Sequence, residues 1–330
     1  CGLSVGPAHA VNMTHSSDEP RGELELVRRL RERLRPPPRV AGPAAPAVAF
    51  GDDMASVSAR HPGLLWTVDM LMDGVDFVSR EHGWEAVGRK AMAVNLSDCA
   101  AMGVQPVAAL CAVAIDERLS LRDAETLVVA AHEMGLRYGC PIVGGDTNSW
   151  KSPTVVSISI AAETPAGQRP VGRGGAQAGD RIWVSGPLGG SILGRHLRFE
   201  PLVELGLTLA REIVPHAMID ISDGLALDLW RVLDASGVGA CLDAGALETA
   251  IHEDARRLEQ RDGRPALEHA LHDGEDFELV VAVRADTDAG LLRSLGLIPI
   301  GEIVAEGGLQ LRGTDGRTSP VPIRGWEHFR

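Results

Sequence analysis

The chain is 330 residues long, enough for two ordinary domains, and its 45% hydrophobic and 23% charged content are those of a globular protein. A formal net charge of -13 argues against nonspecific contact with nucleic acid or an anionic membrane surface; if the substrate is anionic too, cations must stand between the two. Five scattered cysteines without a C-x-x-C pair point to a reducing cytoplasm, and no apolar run reaches the roughly 18–20 residues that a membrane span needs.

Residues 1–12 lack the basic start and long apolar core of a secretory signal, and Met13 is the expected start of translation. Residues 13–21 are polar, carry Pro20 and show no periodicity, so they read as disordered. Glu23 to Leu34 places Leu24, Val27, Leu30 and Leu34 at helical spacing, an amphipathic helix whose arginines form a solvated face. The stretch RPPPRVAGPAAPA then breaks regular structure, making residues 1–47 a flexible arm with one helix.

A first compact domain is expected over 48–164. Leu64 to Val68 reads as a strand ending at Asp69, and Trp84 to Met102 as a helix stopped by Gly103. Asn95, Ser97 and Asp98 interrupt the apolar surface of that helix; three polar residues within four positions favour a functional face over one satisfied core group. Val107 to Ile115 (strand), Leu121 to Tyr138 (helix), Pro141 to Val143 (short strand into GGDTN) and Thr154 to Ala162 (strand) complete an α/β alternation.

The Gly-, Pro- and Ala-rich stretch from Thr164 to Asp180, with Arg169 and Arg173, marks the boundary with a second domain over 165–330. There a strand, Arg181 to Ser185, enters the turn GPLGGS and a helix. AMIDISDGLALDL follows as a strand, a turn and an amphipathic helix. Further on come a strand at Gly239 to Asp243, a helix around Ala250 to Gln260, the acidic turn of HDGEDFELVVAV feeding a strand, and short strands at Ile298 to Val304 and Leu309 to Arg312. The glycines of GPLGGS read mainly as turn formers, since no G-x-x-x-x-G-K-[ST] or Rossmann fingerprint is present.

Acids recur where apolar or Gly-rich stretches end: GDD at 51 to 53, VDM at 68 to 70, NLSD at 95 to 98, GGDT at 144 to 147 and DISD at 220 to 223. Taken singly, Ser222 and Asp223 would be helix caps. As a set, carboxylates at such places with few basic neighbours point to bound cations, and hard oxygen donors select Mg²⁺, held by a few carboxylates together with waters and substrate phosphates.

Seven segments in order, GDDMASV, VDMLMDGVDF, GRKAMAVNLSDCAAMGVQP, GGDTN, GRGGAQAGDRIWVSGPLGGS, AMIDISDGLALDL and HDGEDFEL, resemble the thiamine-monophosphate kinase family of the aminoimidazole-ribonucleotide synthetase-like ATP-binding superfamily. The resemblance implies a two-domain α/β (α+β) fold: an N-terminal domain forming a dimeric β-barrel and a C-terminal α/β domain that completes the active site. It implies transfer of the γ-phosphoryl of ATP to thiamine monophosphate, with ATP as co-substrate, several Mg²⁺ ions and a homodimer. By position, Asp53, Asp69, Asp98, Asp146, Asp220 and Asp223, with Thr67 and the Val68 carbonyl, would hold metal. Gly145, Asp146, Arg173 and Ser222 would contact ATP, Arg173 doubling as a charge stabiliser. Glu275 and Trp326 would contact thiamine phosphate, the indole offering its face to a cationic ring. The nucleophile is already an anion, so no general base is nominated.

One position departs from the family. Its usual His before the Phe of the VDF segment, a substrate contact, is Asp76 here, which weakens a phosphate contact unless another Mg²⁺ or a basic side chain compensates. The alternatives are a related ATP-dependent enzyme acting on another phosphorylated heterocycle, and a catalytically silent nucleotide-binding dimer; retention of the acids argues against the second.

Overall fold

The computed structural model describes residues 64–326 together with Arg29 and Arg33. The expected start at Met13, the proline-rich linker, the GDDMASV segment with Asp53 and the end of the terminal GWEHF lie outside the described residues, as does most of the expected helix at 23–34. Arg29 and Arg33 are helical, and both pair with Glu125.

Two sheets are organised around one helix. The first has strands β1 (Leu64–Met72), β2 (Gln105–Asp116), β3 (Ile142–Trp150) and β4 (Val155–Glu163) in the order β1-β4-β2-β3. Only β2 and β3 run parallel. Helices α1 (Trp84–Met102) and α2 (Leu121–Leu136) cover one face. The second sheet comprises β5 (Arg181–Val184), β6 (Ala217–Asp220), β7 (Gly239–Asp243), β8 (Leu279–Val283), β9 (Ile298–Val304), β10 (Gly308–Arg312) and β11 (Thr318–Pro320). Its order is β11-β10-β7-β9-β5-β8-β6.

Helix α1 occupies the span read from the sequence. It is buried on nearly every side, because it packs on α2, on β1 and β4, on the short helix α3 (Val203–Thr208), and on β6 at the edge of the second sheet. Such a helix needs small residues where backbones meet. A Cβ on Gly88 would stand 2.0 Å from the Leu127 carbonyl oxygen, and one on Gly206 would stand 2.1 Å from that of Ala100. The helix ends at Gly103 in the left-handed region, φ 62°, as expected of a C-terminal glycine.

The second sheet is covered on both faces, which explains its continuous apolar runs. In β8, Val280 and Ala282 pack with helix α4 (Leu225–Ser236), while Leu279, Val281 and Val283 join the core around α1. Each fully buried aliphatic side chain contributes about 1.5–3 kcal/mol of burial.

Four readings are corrected. Strand β1 does not end at Asp69 but runs to Met72, paired with β4 through Met72↔Val155. Strand β3 does not stop before GGDTN; that segment lies within it, paired with β2 beyond a register shift between Ala109 and Leu110. The helix around 250–260 is Glu253–Asp262, and another at Ala266–His272 precedes the acidic turn. After GPLGGS the chain makes two short 3-10 turns before α3.

Candidate active site

The polar trio of α1 faces two sheets at once. Thr67 of β1 donates its hydroxyl to the Asp98 carboxylate, and Asn95 accepts the Asp69 N–H at 3.0 Å while giving its own amide to the Ala91 carbonyl at 3.0 Å. On the other side, Ser97 donates to Asp220 of β6 at 2.7 Å. One helix therefore brings Asp69, Asp98 and Asp220 from three elements into a single buried neighbourhood.

Their acidities record that proximity. Burial first, then the charges of Asp220, Asp223 and Asp76, push the Asp69 carboxyl up to about 6. Burial and Asp69 push Asp98 up to about 6, against the hydrogen bond from Thr67 and the charge of Arg173. Asp220 is pushed up to about 7 by burial and Asp98, against Ser97 and Arg173. Among the described residues no three His, Cys, Asp or Glu side chains stand close enough to hold an ion by themselves. That spread fits a magnesium donor set, in which one or two carboxylates share each ion with water and substrate phosphate. The same acids suit no Zn²⁺ site, which wants a closed ring of nitrogen and sulfur donors.

Beside the cluster is a cavity of about 390 Å³, lined by Thr67, Asp98, Arg173 and Asp220 and by apolar Leu65, Met102, Val171 and Met218. Arg173 reaches it because its loop is tied down on both sides: Val171 N–H donates to the Met102 carbonyl at 2.9 Å and Met218 N–H to the Gly172 carbonyl at 3.1 Å before it, and Gly175 N–H donates to Ser236 Oγ at 3.1 Å after it. A cation facing two buried anions across an apolar cleft suits a phosphorylated ligand.

The turn after β6 is built differently from the capping that its sequence offers. Neither Ser222 nor Asp223 caps α4. Instead Asp228, fully buried within the helix, reaches back to accept the N–H groups of Asp223 at 2.9 Å and Gly224 at 3.0 Å. Arg231 then pairs with both Asp228 and Asp223, the latter at 2.5 Å. Sequence reasoning missed both residues; their signal was the i, i+3 acid–base pair inside an otherwise apolar helix. The Ser222 carbonyl accepts the Glu275 N–H at 2.7 Å, and Ile221 exchanges backbone bonds with Phe277 and Glu278, so the GEDFEL loop is stitched to the DISD turn. Trp326 is 53% exposed and arrives by the same route: its N–H donates to the Asp223 carbonyl at 2.9 Å.

Asp76 and Glu275 meet at a residue that the sequence reading passed over. Lys90 of α1, fully buried, donates to the Asp76 carbonyl at 2.7 Å and pairs with the Glu275 carboxylate. The Asp76 carboxylate accepts the Met72 N–H at 2.7 Å, and its charge still acts on Asp69 and Glu275. A lysine inside the apolar run GRKAMAV was the available signal.

Not every expected residue joins the cluster. Asp146 is exposed and pairs through β2 and β4 with Ala112, Ser157 and Met70, on the sheet face opposite Asp69. Gly145 lies flat against β2, where a Cβ would stand 1.8 Å from the Cys111 carbonyl oxygen. The Val68 side chain is 63% exposed on the outer face, which leaves only its carbonyl as a donor. Gly189 and Gly190 of GPLGGS press against the backbones of His269–Ala270 and Asp254–Ala255, as turn formers do.

Residues 51–163 match the family model for the AIR synthase related protein, N-terminal domain. A thiamine-monophosphate kinase of Rhodopirellula baltica is 39% identical over 318 residues, covering 93% of this chain and 97% of that protein. Among solved structures, a thiamine-monophosphate kinase from Stenotrophomonas maltophilia K279a is 31% identical at a TM-score of 0.73, covering 89% of this chain and 96% of that one. A structure described as AaThiL complexed with AMPPCP and TMP is 28% identical at a TM-score of 0.72, covering 95% of this chain and 100% of that one.

Proposed function

The chain belongs to the thiamine-monophosphate kinase family, and we propose that its acid cluster, Arg173 and the Lys90–Glu275 corner bring ATP and thiamine monophosphate together for in-line transfer. The reaction moves the γ-phosphoryl of ATP to the phosphate of thiamine monophosphate, giving thiamine diphosphate and ADP. The observation that carries this reading is the gathering of Asp69, Asp98 and Asp220 around one helix with no cation of the protein paired to them among the described residues.

The acceptor is already a phosphate oxygen anion, so no proton need be removed from it. The obstacle is repulsion between two polyanions, and bound Mg²⁺ supplies the neutralising charge that brings them into line. Asp69, Asp98, Asp220 and Asp223, with Asp53 and Thr67, would hold the ions. Arg173 faces Asp98 and Asp220 across the cavity and stabilises charge on the transferring group. Ser222 lies at the turn where the nucleotide would pass. Glu275 and Trp326, both pinned to that turn, take the acceptor: the carboxylate pairs with its cationic ring and the indole face stacks on it. Holding both partners in register supplies about 7–11 kcal/mol of the barrier.

Gly145 and Asp146 belong to this reading through a second copy of the chain. Strands β1 and β3 are the two open edges of the first sheet, and its outer face exposes Trp66, Val68 and Met70 in a row with Leu110 beside them. An apolar face of that kind seeks cover. A homodimer that closes the two sheets into a barrel would cover it and set the partner's β3 edge beside β1. In the same reading, residues 48–164 form the ATP, Mg²⁺ and dimerisation domain, residues 165–330 complete the site, and residues 1–47 are an arm. Among the described residues no helix is long and apolar enough to cross a membrane, and the cytoplasm is the proposed compartment.

The test is conversion of thiamine monophosphate by the purified protein with Mg²⁺ and ATP, following thiamine diphosphate directly, with free thiamine as the control acceptor. Product from the monophosphate alone is the expected result; no product despite Mg-ATP binding overturns the reading. Sedimentation velocity tests the dimer, with Val68→Asp expected to release monomers.

A further inference from the structure

At the acceptor end Lys90 touches both Asp76, the position that departs from the family, and Glu275. It has no exposed surface, and it joins the Asp76 carbonyl to the Glu275 carboxylate. Glu275 sits in the left-handed region at φ 63°, a conformation that costs a non-glycine residue about 1 kcal/mol and persists only where its surroundings hold it. Two contacts do so: its N–H on the Ser222 carbonyl at 2.7 Å, and Lys90 on its side chain. The rest of that side chain remains 29% exposed, available to a ligand.

Stability alone does not explain the arrangement. A buried ion pair is often neutral relative to apolar residues of the same volume. Its position is informative, however: Lys90 lies eight residues before Asp98 on α1, about 12 Å along the axis. The same rigid helix thus bears the acid cluster at one end and the Asp76–Glu275 corner at the other.

We propose that Lys90 is a positioning residue for the acceptor, fixing the Asp76 turn against Glu275 so that the cationic ring of the acceptor meets a carboxylate held in one orientation. Position 76 then serves through its main chain, with its own carboxylate turned onto Met72, and the imidazole that the family places there is not needed. This rests on the kinase reading above.

The experiment compares wild type, Lys90→Met, Glu275→Gln and the double variant. It measures KM for thiamine monophosphate and for ATP, kcat, and the calorimetric Kd of thiamine monophosphate. Lys90→Met is expected to raise KM and Kd for thiamine monophosphate about tenfold while KM for ATP stays within about twofold, and the double variant is expected to be no worse than Glu275→Gln. If Lys90→Met leaves Glu275 unpaired and fails to fold, the charge-free double variant carries the test with the same expected loss. An acceptor KM within about twofold of wild type, a parallel rise in both KM values, or losses that multiply in the double variant each overturn the inference. An inert wild type overturns the kinase reading and this inference with it; an active wild type confines any failure to Lys90.

Discussion

Two groups of buried acids in this molecule are treated in opposite ways. Asp228 and Asp276 are each given a guanidinium and main-chain N–H groups: Arg231 with Asp223 and Gly224 for the first, Arg195 at 2.8 Å with Gly189 at 2.8 Å for the second. Asp98 and Asp220 receive one hydroxyl each, and among the described residues the Asp69 carboxylate has no hydrogen-bond or ion-pair partner. Among the described residues no ion pair reaches any of these three, and Arg173 acts on Asp98 and Asp220 only from across the cavity. Charge kept in that way is what the proposed Mg²⁺, and the phosphates that come with it, would neutralise.

The largest expected effect is on the group without ion pairs. Asp220→Asn and Asp98→Asn should each lower kcat about a thousandfold, and the metal-free protein should melt no lower than wild type, since a repelling charge has been removed. Wild-type turnover in either variant would erase the distinction between the two groups. The converse holds for the ion-paired group. Arg231→Met strands Asp228 inside α4 and should cost about 3 kcal/mol of stability, read as a lower melting temperature.

What the sequence shows of this contrast depends on the length scale. Helix α1 and strand β7 are legible residue for residue because their apolar patterns are long or bounded by glycine and acid. The acids of the cluster stand out because each interrupts such a pattern. Strands β1 and β3 are longer than they read, because Asp69 and the glycines of GGDTN resemble terminators until β4 and β2 are there to pair with them. Lys90, Asp228 and Arg231 act through partners as much as 185 residues away or across a helical turn, and no local pattern names those partners. Asp146 sits in one of the recurring acid motifs, GGDT, yet in one chain it lies on the sheet face opposite Asp69.

A smaller effect follows from pH. Asp69, Asp98 and Asp220 titrate in the folded protein at about 6, 6 and 7, above the usual 3.8 of an aspartate. The folded state therefore holds more protons than the unfolded chain between about pH 4 and pH 7, and stability falls as pH rises through that window. Denaturation in chelator should show stability falling from pH 5 to pH 8. Added Mg²⁺ should restore it at pH 8 and do little at pH 5. In Asp220→Asn the slope should flatten.

The smallest effect belongs to the residue that lies outside both groups. Trp326 is 53% exposed and is held to the site by its main chain, through the Asp223 carbonyl, so its indole contributes little to the core. Trp326→Ala should leave the melting temperature where it is. If the indole face meets the acceptor's cationic ring, the loss is about 1 kcal/mol, which is about fivefold in KM for thiamine monophosphate with KM for ATP unchanged. Trp326→Phe, which keeps an aromatic face, should recover most of it. A change of equal size for both substrates would mean that the tail closes the site as a whole. The acceptor's cation would then be read by the carboxylate of Glu275 alone, and the Lys90–Glu275 corner would carry the whole of that recognition.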